Sequence, residues 1–512
     1  MIADMLAFTA QHGPALAIIV PLIASPLIVL LSYRSVAFAV AWLATLISFI
    51  VSVQMLLTTR DGTVLSYALG GWAPPIGIEY RVDAANAIVL VIISALGSAL
   101  MPYLRGLIDA EVRASQQTLF YACLMLCFTG LMGVTITGDA FNVFVFLEIS
   151  SLSTYVLVAM GANSDKRALS AAYDYLILGT IGATFFVIGL GLIYIATGTL
   201  NLVDLAVRLQ DVGDNRTVRT AYGFIVVGLA LKIAMVPLHR WLPGAYTFAP
   251  TAISVFLAST STKVAIYVLA RFVFSVFGVD ADFEKDTLQF VIMPLALIAM
   301  FAMSIVAVFQ KNTKRLLAYS SLGQIGYMLL GLTFLSVTGL AATFTHLFAH
   351  ALTKGALFMA VGAIAMRAGG PMLSGLAGAG RSMPWTSAAL VVGGLSLIGV
   401  PGTVGFVSKW VLMQGAFEAG LWPIGFAIVG SSIIAVVYVW RLVEVMYFEA
   451  PKPELREAPW PLLAPIWLLT AAMIWFGFNG EFIVGAATAA GESLLNGGYI
   501  APDATIIGVP GR

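Results

Sequence analysis

Runs of about 20 apolar residues recur along the whole chain, and they restrict its fold more than any other feature of the sequence. Each run is long enough to cross the hydrocarbon core of a bilayer as an α-helix, which satisfies its own backbone hydrogen bonds. The chain is 60% hydrophobic and 10% charged, whereas soluble domains carry about 25% charged residues. The sequence therefore predicts an all-α integral membrane protein.

We predict about fourteen transmembrane helices from these runs. A further segment, 481–496, is expected to form a short interfacial helix, and the tail after Gly497 a loop. The longest polar stretches, 58–83 and 198–219, have the size of loops and leave no room for a soluble domain. The predicted spans are 15–33, 35–57, 84–104, 118–137, 140–160, 169–197, 220–247, 250–278, 288–310, 315–336, 338–367, 385–419, 423–448 and 460–478.

Lysine and arginine are concentrated in and beside the connections that follow odd-numbered predicted helices. The positive-inside rule places those connections in the cytoplasm and both termini outside. Arg271 is assigned to a connection after an even-numbered helix. The run from Ala15 to Leu31 lacks a basic flank and is too long for a signal peptide. A net charge of +1 gives no basic surface for nucleic acid.

Two predicted spans are interrupted by proline close to a lysine. Lys232 precedes Pro237 in the seventh span, and Lys409 follows Pro401 in the twelfth. Proline breaks or kinks a helix, and irregular backbone at membrane depth is tolerated only inside protein or beside a wet cavity. A lysine there costs about 3 kcal/mol unless water or a partner receives it. The alternative for Lys232 is a lysine that extends to the membrane surface.

The two interrupted spans are five helices apart, so they run in opposite directions across the membrane. Such matched interruptions indicate an inverted repeat with a transport site at its centre. We therefore predict two inverted five-helix repeats with broken helices 7 and 12. The predicted divisions are 1–117 for helices 1–3, 118–278 and 288–448 for the repeats, and 449–512 for helix 14 and the tail.

Glu148 lies in the middle of the fifth span, and its natural partner is Lys232. Opposite charges in a low-dielectric interior keep each other ionised. When the glutamate moves away, the lysine can release its proton, so the pair can act as a switch. The alternative is a static structural ion pair.

Lys263 and the segment around His350 supply further titratable groups. Four hydroxyl residues precede Lys263, and they either hold water or bond to their own helix. His346, His350 and Lys354 are four residues apart and share one helical stripe, which favours a proton relay. No third ligand suggests a bound metal, and no nucleotide loop or redox centre is evident. The residues imply proton movement without a cofactor.

These motifs resemble the antiporter-like subunits of Mrp-type multisubunit cation/proton antiporters and of the complex I membrane arm. The resemblance covers roughly 80–450. It implies a fourteen-helix fold with a central hydrophilic axis. The motifs are Gly138-Asp-Ala-Phe-Asn-Val-Phe-Val-Phe-Leu-Glu148, Ala230-Leu-Lys-Ile-Ala-Met-Val-Pro237, Ala249-Pro-Thr-Ala-Ile-Ser254 before Lys263, Lys314-Arg-Leu-Leu-Ala-Tyr-Ser-Ser321, His346 with His350, and Gly399-Val-Pro-Gly-Thr-Val-Gly-Phe-Val-Ser-Lys409.

Within that family the chain looks most like the D subunit of the Mrp antiporter. Leu147 stands where complex I subunits commonly have tryptophan, and Lys409 stands where one complex I subunit type has glutamate. The resemblance implies a multi-pass subunit in the cell membrane with other membrane subunits as partners, and a transporter rather than an enzyme by itself. A proton-pumping subunit of a quinone oxidoreductase or membrane-bound hydrogenase remains the alternative.

Overall fold

The computed structural model describes residues 2–279, 281–450, 455–497 and 505–507, with side chains placed from residue 11 to residue 497 within those ranges. Eleven helices in the described ranges are long and apolar enough to cross a membrane, and they coincide with eleven of the predicted spans. The all-helical membrane fold is thereby confirmed. The seventh, tenth and twelfth predicted spans also fold as helices. The count of fourteen crossings and the inverted repeats stay predictions.

The described residues fold mainly into α-helices, which are numbered in chain order. They are α1 (Ile2–Leu31), α2 (Arg34–Thr59), α3 (Ala84–Glu111), α4 (Gln117–Ile136), α5 (Ala140–Ala159), α6 (Arg167–Thr197), α7 (Leu202–Val212), α8 (Arg216–Ile233), α9 (Trp241–Phe248), α10 (Thr251–Ser259), α11 (Ser261–Ala270), α12 (Asp282–Asp286), α13 (Met293–Ile298), α14 (Ser304–Val308), α15 (Thr313–Leu332), α16 (Val337–Ala368), α17 (Ala379–Ser382), α18 (Pro384–Ile398), α19 (Val404–Glu418), α20 (Trp422–Phe448), α21 (Trp460–Phe478) and α22 (Gly480–Leu495). Wider π-helical turns span Arg271–Phe277, Thr287–Ile292 and Ala299–Met303. The strands are β1 (Leu65–Ala68), β2 (Glu79–Val82) and β3 (Thr505–Ile507).

Both predicted helix interruptions are present. The seventh span divides into α8 and α9, because the ring of Pro237 would clash with the carbonyl of Ile233, where α8 ends. The next residue, Ala234, adopts a left-handed conformation with φ +61°. The twelfth span divides into α18 and α19 at Gly399, whose φ of +89° suits a residue without a side chain.

A third interruption was not predicted. The eighth span divides at Thr260, between α10 and α11, with no proline or glycine near it. The break lies three residues before Lys263, whose backbone N–H donates to the Thr260 carbonyl at 3.0 Å. The span predicted at 250–278 is confirmed as Thr251–Phe277, with an interruption at Thr260 that the sequence did not predict.

Two polar stretches and part of the tail contain regular structure where loops were predicted. The stretch 198–219 holds the helix α7, which Asn201 caps through its side chain. The stretch 58–83 holds β1 and β2, paired antiparallel with Leu65 opposite Val82. Strand β3 pairs parallel with β1, so this part of the tail is not a loop. The other residues after Gly497 lie outside the described ranges.

The long helix α16 lies at the centre of the molecule. It packs against α10, α15, α18, α19, α21 and α22, and 25 of its 32 residues are buried. Helix α22, expected to be interfacial, packs along α16 and α3. A buried ion pair joins the N-terminus of α3 to the π-helical turn after α11, where Arg271 donates to Asp83 at 2.7 Å. Ser493 of α22 donates to the same carboxylate at 2.6 Å. The assignment of Arg271 to a surface connection was therefore wrong.

Candidate functional site

The predicted pair of Glu148 and Lys232 is present in the structure. Lys232 Nζ donates to Glu148 Oε1 at 3.1 Å and to Ser151 Oγ at 2.8 Å, which joins α8 to α5. The lysine side chain is 7% exposed and the glutamate 21% exposed. A lysine that reaches the membrane surface is therefore excluded, because its charged head is bound within the protein.

Aromatic packing stabilises the break beside Lys232. Trp241 is the first residue of α9, and its indole Nε1 donates to the Leu231 carbonyl at 2.8 Å. That carbonyl lies in the last turn of α8 and also accepts from the Ala234 backbone N–H at 3.2 Å. Tyr175 of α6 stacks on the Trp241 ring, with the ring centroids 4.0 Å apart and nearly parallel. The chain therefore spans the break without exposing the lysine to lipid.

Lys263 and Lys354 have no carboxylate partner among the described residues, and both are fully buried. Lys263 donates to the Ala258 carbonyl in the last turn of α10 and lies 3.5 Å from Thr262 Oγ1. Lys354 donates to the Leu317 carbonyl at 2.9 Å and to the Ser320 hydroxyl of α15. Carbonyls and hydroxyls accept from a neutral amine as well as from an ammonium group, so neither protonation state lacks partners.

His346 and His350 lie along α16 in different surroundings. His346 is held from two sides, with Nδ1 2.9 Å from Ser408 Oγ and Nε2 3.0 Å from Gln324 Oε1. His350 is buried, and neither of its ring nitrogens has a hydrogen-bond partner in the described structure. The two ring centroids are 6.4 Å apart. Buried polar atoms without partners mark places that water fills.

Lys409, in the second turn of α19, reaches back to the end of α18. Its Nζ donates to the carbonyls of Leu397 and Ile398 at 2.9 and 3.0 Å, and to Ser432 Oγ of α20 at 2.8 Å. The negative end of the α18 dipole therefore faces the lysine head. The Nζ atom also lies 4.8 Å from the centroid of the Tyr327 ring, within the range of a cation–π interaction.

These groups form two sets. Lys263 interacts electrostatically with His346, His350 and Lys354, and His346 interacts with Lys409, so one set occupies the core around α16. Glu148, Ser151 and Lys232 form the other set. No hydrogen bond or ion pair between described residues joins Lys232 directly to Lys263.

Several polar residues at the site were missed by sequence reasoning. Ser151 and Ser432 bind lysine heads, and Tyr327 donates from its hydroxyl to the Ile428 carbonyl at 3.3 Å. Serine and tyrosine are common inside helices, so their types gave no signal. Lys314 did carry a signal in the sequence, because it begins the family motif Lys314-Arg-Leu-Leu-Ala-Tyr-Ser-Ser321. It is buried, and its Nζ donates to the Ala249 carbonyl at the end of α9 at 2.7 Å.

The site contains no arrangement suited to a bound metal. Among the described residues, no three His, Cys, Asp or Glu side chains converge. Cys123 and Cys127 are buried in α4, and Cys127 Sγ contacts Thr154 Oγ1 at 3.1 Å. The chemistry that the site can support is the transfer of protons between amines, imidazoles, hydroxyls and one carboxylate.

Comparison with known proteins identifies the family of the chain and several of its relatives. The family described as NADH:quinone oxidoreductase/Mrp antiporter, TM matches residues 137–435. A protein named NADH-quinone oxidoreductase subunit N from Desulforudis audaxviator is 38% identical over 495 residues, which cover 92% of this chain and 97% of the relative. The D subunit of a Na(+)/H(+) antiporter from Bacillus subtilis is 28% identical over 486 residues, covering 94% and 97%.

A solved structure agrees with these relatives. A chain in the structure of the Mrp complex from Dietzia sp. DQ12-45-1b superposes with a TM-score of 0.88 at 25% identity, covering 96% of this chain and 99% of that chain. The predicted resemblance to the antiporter-like subunits, and to the D subunit of the Mrp type, is confirmed. The chain is a multi-pass membrane protein and belongs to the NADH:quinone oxidoreductase/Mrp antiporter transmembrane family.

Proposed function

We propose that this chain is the proton-translocating subunit of a multisubunit Na⁺ or K⁺/proton antiporter. The observation that carries the proposal is a buried lysine, bound to one glutamate at a helix break, followed by buried lysines and histidines for which the described residues supply no carboxylate partner. Charged side chains inside a membrane protein are costly and mark ion or proton pathways. The likeness to a protein named as the D subunit of a Na(+)/H(+) antiporter supports the choice of transporter.

In the proposed mechanism, Glu148 controls the proton on Lys232. While the two are paired, the carboxylate stabilises the ammonium form of the lysine. When Glu148 moves away, Lys232 keeps only Ser151 as a partner, and a carboxylate no longer stabilises its ammonium form. Its proton then passes to Lys263, moves through the His350 region, and leaves by way of Lys409. His346 and Lys354 hold protons beside that route.

We further propose that the exchanged cation is selected elsewhere in the complex. Sodium prefers several oxygen ligands around one position, and the site offers a single carboxylate that is already bound to a lysine. Sodium bound between the described helices of this chain in a high-resolution map would contradict this part of the proposal.

The test is to measure antiport in the assembled complex with Glu148→Ala and Lys232→Ala. Membrane vesicles from cells without other sodium/proton antiporters would be energised, and a pH-sensitive dye would report proton movement when sodium is added. Both variants should lose antiport. The matched controls, Glu418→Ala and Lys166→Ala, remove exposed charges of the same types and should keep it. Normal antiport in both pair variants would refute the proposal.

A second function is favoured by one specific observation, the 38% identity to a protein named as a subunit of NADH-quinone oxidoreductase. In that case the same residues would carry protons, and redox chemistry in other chains would drive them. Purification of the native complex separates the two functions. Partner subunits that contain iron–sulfur clusters or flavin would establish the redox-driven alternative, and small membrane subunits without them would establish the antiporter.

The remaining sequence predictions become part of the proposal. The chain would work in the cell membrane beside other membrane subunits, with both termini outside. The divisions at 118–278 and 288–448 would be inverted halves around the site. Cysteine labelling of α7, which lies in the connection between α6 and α8, tests the orientation: a membrane-impermeant reagent applied to intact cells should react there.

A further inference from the structure

The two sets of titratable groups are separated by a short aromatic region that the proposed route must cross. Lys232 is bound on one side and Lys263 on the other, without a direct contact between them. The side chains between them are therefore candidates for the missing step, and three tyrosines lie there: Tyr155, Tyr175 and Tyr246.

Tyr155 continues a polar stripe that begins at the ion pair. Glu148, Ser151 and Tyr155 are three and four residues apart on α5, so they lie on one face of the helix. Lys232 binds the first two of them. Tyr155 is 6% exposed, and among the described residues none makes a well-formed hydrogen bond to its hydroxyl; Ser151 is the nearby hydroxyl, and Glu148 interacts with Tyr155 electrostatically.

An unpartnered buried hydroxyl costs about 1–3 kcal/mol, so its position calls for a reason other than packing. Helix α6 makes room for this hydroxyl with a glycine, because a Cβ atom at Gly179 would overlap Tyr155 Oη. The hydroxyl thus occupies the space that the absent side chain of Gly179 leaves between α5 and α6. Water inserted there would have both the phenol and Ser151 as partners.

Tyr155 leads on to the second set through Tyr175. The two rings meet edge to face with centroids 4.8 Å apart. The Tyr175 hydroxyl lies close to Ser261, the first residue of α11, two positions before Lys263. Tyr246 lies close to Thr262 in the same turn, and Thr262 contacts the Lys263 amine. Side chains that carry hydroxyls therefore lie between the ion pair and the α10–α11 break, where Tyr246 also donates to the Leu257 carbonyl at 3.1 Å.

We propose that Tyr155, followed by Tyr175, carries the proton from Lys232 to the Lys263 set. A lone pair of the Tyr155 hydroxyl takes a proton that Lys232 releases through Ser151 or one water molecule, and forms a new O–H bond. The original O–H bond breaks, its electron pair stays on the oxygen, and its proton passes through Tyr175 and Ser261 toward Lys263. Each hydroxyl ends neutral, Lys232 ends as an amine and Lys263 as an ammonium group. This inference rests on the proposed function.

The test uses Tyr155→Phe in the assembled complex, because this variant keeps the ring contacts and removes only the oxygen. The maximal rate of sodium-driven proton movement should fall roughly tenfold or more, as expected for the loss of one positioned proton carrier. The sodium concentration for half-maximal rate and the amount of assembled complex should stay unchanged. Tyr194→Phe, on a half-exposed tyrosine of α6, is the matched control and should be normal.

A second variant and the ion-pair variants make the outcome decisive. Gly179→Ala should displace the Tyr155 hydroxyl while keeping the phenol, and it should slow transfer in the same way. Wild-type rates in Tyr155→Phe and Gly179→Ala, with Glu148→Ala inactive, would overturn this inference and leave the proposed function standing. Wild-type rates in all three variants would overturn both.

Discussion

The pair of Glu148 and Lys232 can be replaced by apolar residues of similar size, and this substitution separates a proton relay from a static ion pair. Glu148→Leu alone leaves a lysine that is 7% exposed with only Ser151 as a partner. Removal of one member of a buried pair costs about 3–5 kcal/mol. We expect about 3 kcal/mol here, because the lysine can escape part of the penalty by giving up its proton.

The reverse variant should be milder. Lys232→Met leaves a carboxylate that is 21% exposed and can turn toward water or a partner subunit, so we expect a loss of about 1–2 kcal/mol. The double variant removes both charges, and its free energy of unfolding should lie within about 1 kcal/mol of that of the wild type. The double-mutant cycle should therefore give a coupling of about 3 kcal/mol or more, since the residues are in direct contact.

Two assays on the same preparations decide the question. Titration with a denaturing detergent in mixed micelles gives the change in the free energy of unfolding, and the vesicle assay gives antiport. If the pair only stabilises the fold, the double variant should regain antiport together with stability. If the pair handles protons, the double variant should be stable and inactive. A stable, active double variant would refute the proposed role.

Three further predictions concern neighbouring parts of the site. Tyr327→Leu should lower the maximal antiport rate more than Tyr327→Phe, because loss of the ring face 4.8 Å from the amine disfavours protonation of Lys409; equal rates would contradict a cation–π contribution. Gly399→Ala should lower the free energy of unfolding by about 1 kcal/mol or more, because φ is +89° and the new methyl group would press on the Lys409 side chain. The control is Gly223→Ala, which lies in open space on α8 and should be neutral or stabilising in the same unfolding titration. Asp83→Asn should destabilise the complex by about 3 kcal/mol, because it leaves a buried guanidinium without its carboxylate; an unchanged unfolding midpoint would contradict this.

The features that could be predicted from the sequence are those that cost free energy inside a membrane and depend on nearby residues in the chain. A charge inside an apolar run is conspicuous, so Glu148, Lys232 and Lys409 could be found from the chain alone, and the prolines placed two breaks beside the lysines. The break at Thr260 carried only a weak signal, because serine and threonine lower helix propensity without breaking a helix as proline does. The Lys263 amine bonds instead to a carbonyl across that break, and tertiary packing decides this conformation.

Partners that are distant in sequence were not predictable. Arg271 and Asp83 are 188 residues apart, and an arginine at the end of a span is usually solvent-exposed. Lys314 has charged neighbours that suggest a surface, yet its head binds the Ala249 carbonyl. Tyr155 is one of many tyrosines in the chain, and its unpartnered hydroxyl is visible only after α5 and α6 are packed. Such contacts depend on helix packing, which composition and spacing do not determine.

The contrast between one carboxylate and several lysines explains how such a site can move protons in steps. Lys232 has a carboxylate partner that strongly favours its charged form, whereas Lys263, Lys354 and Lys409 are bound by carbonyls and hydroxyls, which also accept from a neutral amine, although more weakly. Two like charges about 10 Å apart repel by about 1.7 kcal/mol at an effective dielectric constant of 20, so a proton on one lysine disfavours a proton on the next. In the proposed mechanism, opening the Glu148–Lys232 pair would favour transfer of a proton to the core set, and its arrival there would favour release near Lys409. The carboxylate would act as the switch that orders these transfers, and the ion gradients would supply the free energy.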